Sequence, residues 1–285
     1  MTSDAPAPAI EVTGLRKTYD GLEALRGIGF SVTRGEVFGL LGPNGAGKTT
    51  TVEILEGYRA RSAGDVSVLG FDPQERPAEL RERVGIVLQS CGFYPHLTVR
   101  EAVEHWASLY PAPRDPAEVV GLVGLSDAAG RRTRVLSGGQ RRRLDLALAL
   151  VGDPELVFLD EPTTGFDPSA RRAAWEAIRS LRDLGKTVLL TTHYLDEAQA
   201  LADRVAIVKD GTVLAEGSPG QLGTGARYWV RYRLAGGEVI ERETDDPTAL
   251  LHDVTGAALA RGERLEDLSV SRPSLEDVYL ELTGE

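Results

Sequence analysis

The stretch Gly42-Pro43-Asn44-Gly45-Ala46-Gly47-Lys48-Thr49 constrains this chain more than any other. An apolar run, Val37-Phe38-Gly39-Leu40-Leu41, precedes it, and Thr50-Thr51-Val52-Glu53-Ile54-Leu55 follows. The order reads strand, glycine loop, helix. Glycines permit the tight turn and bring successive backbone N–H groups onto one anion. A helix N-terminus adds unpaired donors and partial positive charge at the same place. Lys48 has the reach for β- and γ-phosphates, and the Thr49 hydroxyl suits Mg²⁺. The spacing predicts a phosphate-binding loop in an α/β domain.

The flanking chain supplies a sheet for that loop. Ile10–Thr13 alternates as a strand, Leu15–Tyr19 continues to a turn at Asp20-Gly21, and Ile28–Val32 makes a second strand. Two short strands ahead of the loop predict an antiparallel flap. Tyr19 is a candidate platform for a base. Taken alone, a packed strand-end tyrosine is the commoner case. Ala63-Gly64-Asp65 reads as a turn before a strand at Val66–Gly70, and Pro77–Arg83 as a short helix. Val84–Leu88 then reads as a buried strand ending at Gln89, where sheets of this kind bind ligands. A loop glutamine with no such role fits that fact equally well.

From about Ser90 to Asp153 the pattern turns helical. Thr98 with Glu101 forms a capping box for a helix through about Tyr110, and Pro116–Val123 gives another. Ser137 caps a third helix at Leu136-Ser137-Gly138-Gly139-Gln140, a second helix start able to bind an anion. Arg141, Arg142 and Arg143 oppose the helix dipole there, which points to an anionic partner, nearby carboxylates or a solvated face. Glu155–Glu161 is an apolar strand ending in Asp160 and Glu161. Asp160 suits a Mg²⁺-holding position and Glu161 a base. Pro168–Leu184 is an amphipathic helix behind Asp167. Thr187–Thr192 is a buried strand ending at His193, at which structural and functional readings balance. Tyr194–Asp203 reads as a helix, and a hairpin turns at Lys209-Asp210-Gly211.

The core ends near Ser218-Pro219-Gly220, with a linker at Gly223-Thr224-Gly225. Beyond it a strand pair, a helix, a strand and a helix capped by Ser274 form a small α+β appendage without a motif, read as a packing or dimerisation module. The expected organisation is a flexible tail over 1–9, a nucleotide-binding domain over 10–222 with a helical subdomain at about 90–153, and an accessory domain over 223–285. The 285 residues suffice for a core without staples, and the lone Cys91 permits no intrachain disulfide. Residues 1–9 show no secretory signal and no window approaches the length of a membrane span. A net charge of −11 argues against sequence-independent nucleic-acid binding.

Together these residues resemble the ATP-binding subunit of an ABC transporter, from about Ile10 to Gly220. The loop at Gly42–Thr49, Gln89, the signature Leu136–Gln140, Leu159-Asp160-Glu161-Pro162, Asp167 and His193 all occur in order. More narrowly the chain is similar to the daunorubicin-resistance exporter ATPases, through Arg141–Ala147, Pro162–Gly165 and Pro273–Tyr279. Phe166 departs from the leucine usual in that branch. The resemblance implies a P-loop NTPase core with an antiparallel flap and a helical signature subdomain. It implies an ATP- and Mg²⁺-dependent ATPase energising an exporter of drugs, antibiotics or lipid-like compounds.

The resemblance also implies roles. Gly42, Pro43, Asn44, Gly45, Ala46, Gly47, Lys48, Thr49 and Thr50 would cradle the phosphates, and Tyr19 would stack on adenine. Thr49, Gln89 and Asp160 would hold Mg²⁺, directly or through water. Glu161 would polarise the attacking water, while Lys48 and His193 would stabilise the γ-phosphoryl charge. Ser137, Gly138, Gly139 and Gln140 would close on the ATP of a second copy, or of a homologous subunit, in a head-to-tail dimer, and Asp167 would couple the two sites. Separate transmembrane permease subunits would hold the chain at the cytoplasmic face of the membrane, touching it near Gln89–Leu97 through Phe93, Tyr94 and Leu97. Those three side chains serve equally well as cover for the helical lobe's own core. The competing function is a non-transport ABC ATPase acting on nucleic acid or ribosomes. The acidic charge and the absence of a long heptad insertion weigh against it.

Overall fold

Elements alternate in the order that builds a parallel sheet with one antiparallel attachment. In the computed structural model β1 (Ile10–Tyr19), β2 (Leu22–Val32) and β3 (Val37–Leu41) lead into α1 (Lys48–Leu55). β4 (Ala63–Val68), α2 (Ala78–Arg83) and β5 (Val84–Val87) follow. Then come α3 (Val99–Ala107), α4 (Pro116–Leu122), α5 (Gly138–Leu150) and β6 (Leu156–Asp160). α6 (Pro168–Asp183), β7 (Thr187–Thr192), α7 (Leu195–Leu201), β8 (Arg204–Lys209) and β9 (Thr212–Gly217) complete this part. The structure describes residues 7–87, 94–222, 228–234, 237–271 and 274–283. By its contacts the chain divides into two compact units, Met1–Glu216 and Gly217–Glu285. The break falls ahead of Gly223–Gly225, which lies outside the described residues.

In the first unit, β3, β5, β6, β7 and β8 are parallel in a six-stranded sheet of order β5-β6-β7-β3-β8-β9. Alternation along each strand feeds two cores. Phe38, Leu40, Phe158 and Leu189 face the flap side, with Val52 and Leu55 of α1. Val37, Val157, Leu159, Val188 and Leu190 face the helices, with Leu144 and Leu148 of α5. The parallel order matters because every connection returns the chain to the same sheet edge, so all carboxyl ends open on one side.

The flap is a three-stranded antiparallel sheet, β2-β1-β4. The turn expected at Ala63–Asp65 is instead the first half of β4. Gly64 takes φ 91 there, beside the register shift against β1, so a turn-like triplet marks an irregularity inside a strand. The tail expected over 1–9 is anchored by its last residue. Ala9 is fully buried, donates to the Val32 carbonyl at 2.7 Å and accepts from Leu69 N–H at 2.7 Å. In the helical lobe the Thr98–Glu101 capping box is present. α3 ends at Ala107 rather than Tyr110 because Leu109 and Tyr110 donate to carbonyls three residues back, which tightens the last turn.

The second unit pairs β10 (Tyr228–Leu234) with β11 (Val239–Thr244) and, past α8 (Pro247–Ala260), with β12 (Leu265–Ser271), all antiparallel. Val230, Tyr232 and Val254 form its core, and α9 (Leu275–Thr283) follows. Ser274 Oγ accepts from the Asp277 N–H at 3.2 Å, the expected cap.

Candidate active site

β3 delivers the chain into the loop, and Gly42 N–H bonds the Thr192 carbonyl of β7 at 3.3 Å. The loop closes on Gly47, at φ 102 and ψ 4, a conformation that a side chain would strain. α1 starts on the next residue. Lys48 is 5 % exposed, and its ammonium donates to the carbonyls of Gly42 at 2.7 Å and Pro43 at 3.0 Å. Its Nζ lies 3.9 Å from Glu161 Oε1. Burial lowers the Lys48 pKa, and the negative charges of Glu161 and Asp160 oppose that shift. Thr49, Asn44 and Gly45 are exposed, Pro43 and Thr50 half-buried and Ala46 buried.

β6 ends beside β7, which separates it from β3. Asp160 Oδ1 accepts from Thr191 Oγ1 at 2.5 Å, and the same hydroxyl accepts from Glu161 N–H at 2.9 Å. Glu161 sits at φ 44, the left-handed region. Its carboxylate accepts from Thr164 Oγ1 at 3.1 Å, and its other oxygen lies 3.3 Å from His193 Nδ1. The Lys48 ammonium, the Glu161 carboxylate and the His193 imidazole therefore meet at the carboxyl ends of three neighbouring strands, with Asp160 held beside them.

Other expected residues lie elsewhere. Ser137 and Gln140 complete a reciprocal capping box: Ser137 Oγ accepts from Gln140 N–H and Gln140 Oε1 from Ser137 N–H. Ser137, Gly138 and Gly139 line a cavity of about 550 Å³ with Thr164, Phe166 and Asp167, and Lys48, Glu161 and His193 are not in its wall. Asp167 caps α6, accepting from Ser169 and Ala170 N–H at 2.9 and 3.0 Å. Lys17 and Arg59 place cations 5.0 and 5.2 Å from the Tyr19 ring centre. Gln89, Phe93 and Cys91 lie outside the described residues. Leu97 packs on the helical lobe's core, whereas Tyr94 is 62 % exposed.

The three arginines after the signature all donate to backbone carbonyls. Arg141 reaches Leu136, Arg142 reaches Pro162 and Asp160, and Arg143 reaches Gly124. They brace the lobe, and Arg142 ties the signature helix to the carboxyl end of β6. The sequence reading gave Thr191 and Thr164 no role, and it set Arg142 beside an anion, carboxylates or solvent rather than on the carbonyls it meets. Thr191 was findable, since it lies directly opposite Asp160 in the β6–β7 register.

Glu56, just past α1, is a further surprise. Burial first, then the charges of Asp160 and Glu53, pushes its carboxyl from an ordinary 4.5 up to about 8. Between those values the unfolded chain releases a proton that the folded chain keeps, so stability falls as pH rises through that window. Glu56→Gln should remove the slope, leaving the nucleotide-free chain more stable than the parent by up to about 5 kcal/mol at about pH 9 and unchanged at about pH 4. Urea unfolding across that range measures it.

Residues 25–164 match the family described as ABC transporter. The daunorubicin/doxorubicin resistance ATP-binding protein DrrA of Streptomyces peucetius is 39 % identical, over 98 % of this chain and 93 % of its own length. The Nod factor export ATP-binding protein I of Paraburkholderia xenovorans is 40 % identical, over 98 % of each. A solved ATP-binding subunit of an ABC transporter superposes with a TM-score of 0.70 at 25 % identity, covering 96 % of this chain and 99 % of that one. The phosphate loop, the acidic strand end and the histidine opposite it are thus found in a chain that matches these proteins over nearly its whole length, and the chain belongs to the ABC transporter family as an ATP-binding, ATP-hydrolysing subunit.

Proposed function

We propose that this subunit hydrolyses Mg²⁺-bound ATP in a head-to-tail dimer and so energises an exporter of drugs, antibiotics or lipid-like compounds. One observation carries the mechanism. Lys48, Glu161 and His193 converge, while Ser137–Gly139 opens on a different cavity. One chain thus holds two anion-binding helix starts that do not share a nucleotide, and a second copy supplies the missing half of each site. Each ATP lies between the loop of one copy and Ser137 and Gly139 of the other.

Within one half, Lys48 and loop N–H groups between Asn44 and Thr50 hold the phosphates, and Tyr19 stacks on the base. Glu161 orients and polarises the attacking water. His193, beside Glu161, and Lys48 stabilise charge on the transferred group. The Thr49 hydroxyl after the loop and the Asp160 carboxylate at the end of β6 are hard oxygen donors of the kind Mg²⁺ takes, and with Gln89 they would hold it. Bound there, the ion neutralises phosphate charge. Asp167, whose carboxylate fixes the start of α6 in the cavity facing the signature, couples the two sites.

The export reading rests on relatives named for daunorubicin and doxorubicin resistance, Nod factor export and linearmycin resistance. None is named for work on nucleic acid or ribosomes. No helix among the described residues is long and apolar enough to cross a membrane, so the pathway belongs to separate permease subunits, with this chain peripheral at the cytoplasmic face. Exposed Tyr94 is the apolar group offered to them, while Leu97 is taken up by the lobe's core.

Light scattering behind size-exclusion chromatography tests the dimer on Glu161→Gln, which retains ATP. The expected result is a monomer without nucleotide and a dimer with ATP. A monomer at saturating ATP assigns closure to the partner subunits. A dimer regardless of ATP assigns it to the second unit.

A further inference from the structure

Glu197, in α7, is fully buried and none of the roles above uses it. Its Oε1 accepts two hydrogen bonds, from Thr163 Oγ1 at 2.7 Å and from Trp175 Nε1 of α6 at 3.2 Å. Its Oε2 is buried with no partner among the described residues. A buried carboxylate oxygen left in this state is costly, and packing alone does not account for it. The two Oε1 bonds, by contrast, join segments on either side of the site. Thr163 is fully buried in the loop that follows Glu161, and its neighbour Thr164 donates to the Glu161 carboxylate at 3.1 Å. α7 begins just after His193, which lies 3.3 Å from that same carboxylate.

We propose that Glu197 is a positioning residue for hydrolysis: one oxygen pins the loop behind Glu161 to the helix start behind His193. Glu161 needs such a fastening. Its φ of 44 is a strained conformation that persists where the surroundings hold it. Thr191 holds the Glu161 N–H from one side, and the pinned Thr163 fixes the loop on the other. α6 grips the same helix start a second time. Arg171 pairs with Asp196 at 3.1 Å and lies 4.6 Å from the Tyr194 ring centre, and that ring packs tilted against His193, 4.0 Å between centres. A shift of the loop against α7 would separate Glu161 from His193 without touching the phosphate loop.

The inference rests on the proposed roles of Glu161 and His193, and its test separates the two. Single-turnover hydrolysis and ATP binding are measured on the full chain for Glu197→Gln, Glu197→Leu, Thr163→Val and the Leu/Val double variant. The glutamine variant retains an acceptor and should keep turnover within about 3-fold. The leucine and valine variants should each lose about 10- to 100-fold in turnover, with the ATP Kd within about 2-fold, since small misplacements of reacting groups cost that much. The double variant should fall no further than the worse single one. Parent-like turnover in the valine variant, affinity falling in step with turnover, or losses that multiply would each overturn the inference. Thr163→Val is nearly isosteric and keeps the test open if the leucine variant does not fold. Glu161→Gln is measured alongside: normal hydrolysis there refutes the site's reading itself, whatever the Glu197 variants do.

Discussion

Glu161→Gln should bind ATP with unchanged affinity and hydrolyse it at least about 10²-fold more slowly than the parent chain. The amide keeps the length of the side chain and an acceptor for Thr164, so the loop geometry survives. It loses the negative charge that can polarise water. Binding survives because the groups assigned to the phosphates are the loop N–H groups and Lys48, and Lys48 keeps its contacts with the Gly42 and Pro43 carbonyls. Phosphate release under single-turnover conditions and a fluorescent nucleotide titration measure the two halves. Normal turnover in this variant would falsify the assignment of Glu161.

Gly42→Ala should do the opposite, taking affinity and folding together. A Cβ at Gly42 would stand 2.1 Å from the Val208 carbonyl oxygen of β8, and 3.3 Å from Ala46 Cβ. The obstacle is backbone inside a parallel sheet, with no flexible end to swing away. Either the loop lifts off the sheet or β8 moves. We expect a loss of about 3 kcal/mol or more, the size of a severe core disruption, and a melting temperature lower by roughly 6–12 °C. The same displacement moves the Gly42 carbonyl that holds Lys48, so ATP binding should weaken with it. Gly130→Ala, with open space around its Cβ, is the control and should stay within about 0.5 kcal/mol. A Gly42→Ala chain that melts with the parent would remove the steric argument.

Much of this arrangement was legible because local rules and tertiary structure agree. Short apolar runs located β3, β6 and β7, and the phosphate loop lies between β3 and α1 as its glycines require. The predicted Thr98–Glu101 capping box formed and Ser137 caps α5 as expected, since each cap is written within four residues. What was not legible depends on partners far apart in sequence. Glu197 sits in a polar-looking run, Leu195-Asp196-Glu197-Ala198-Gln199, and nothing local says that Thr163 and Trp175 would enclose it. The raised pKa of Glu56 comes first from burial in the folded chain and then from Asp160, which is distant in sequence. The arginines after the signature were read through the helix dipole, whereas carbonyls from other loops decide their place. Gly64 misled because its glycine marks a bulge as readily as a turn.

The left-handed backbone at Glu161 bears on how such a chain drifts under mutation. Among common residues, glycine, asparagine and aspartate tolerate φ near 44 best, so replacements there tend to relieve strain. Two of those three carry no carboxylate. A chain that has lost hydrolysis by this route should fold at least as well as its ancestor. Quality control in the cell, which reads folding, would let it through, and purifying selection at this position has to act through transport alone.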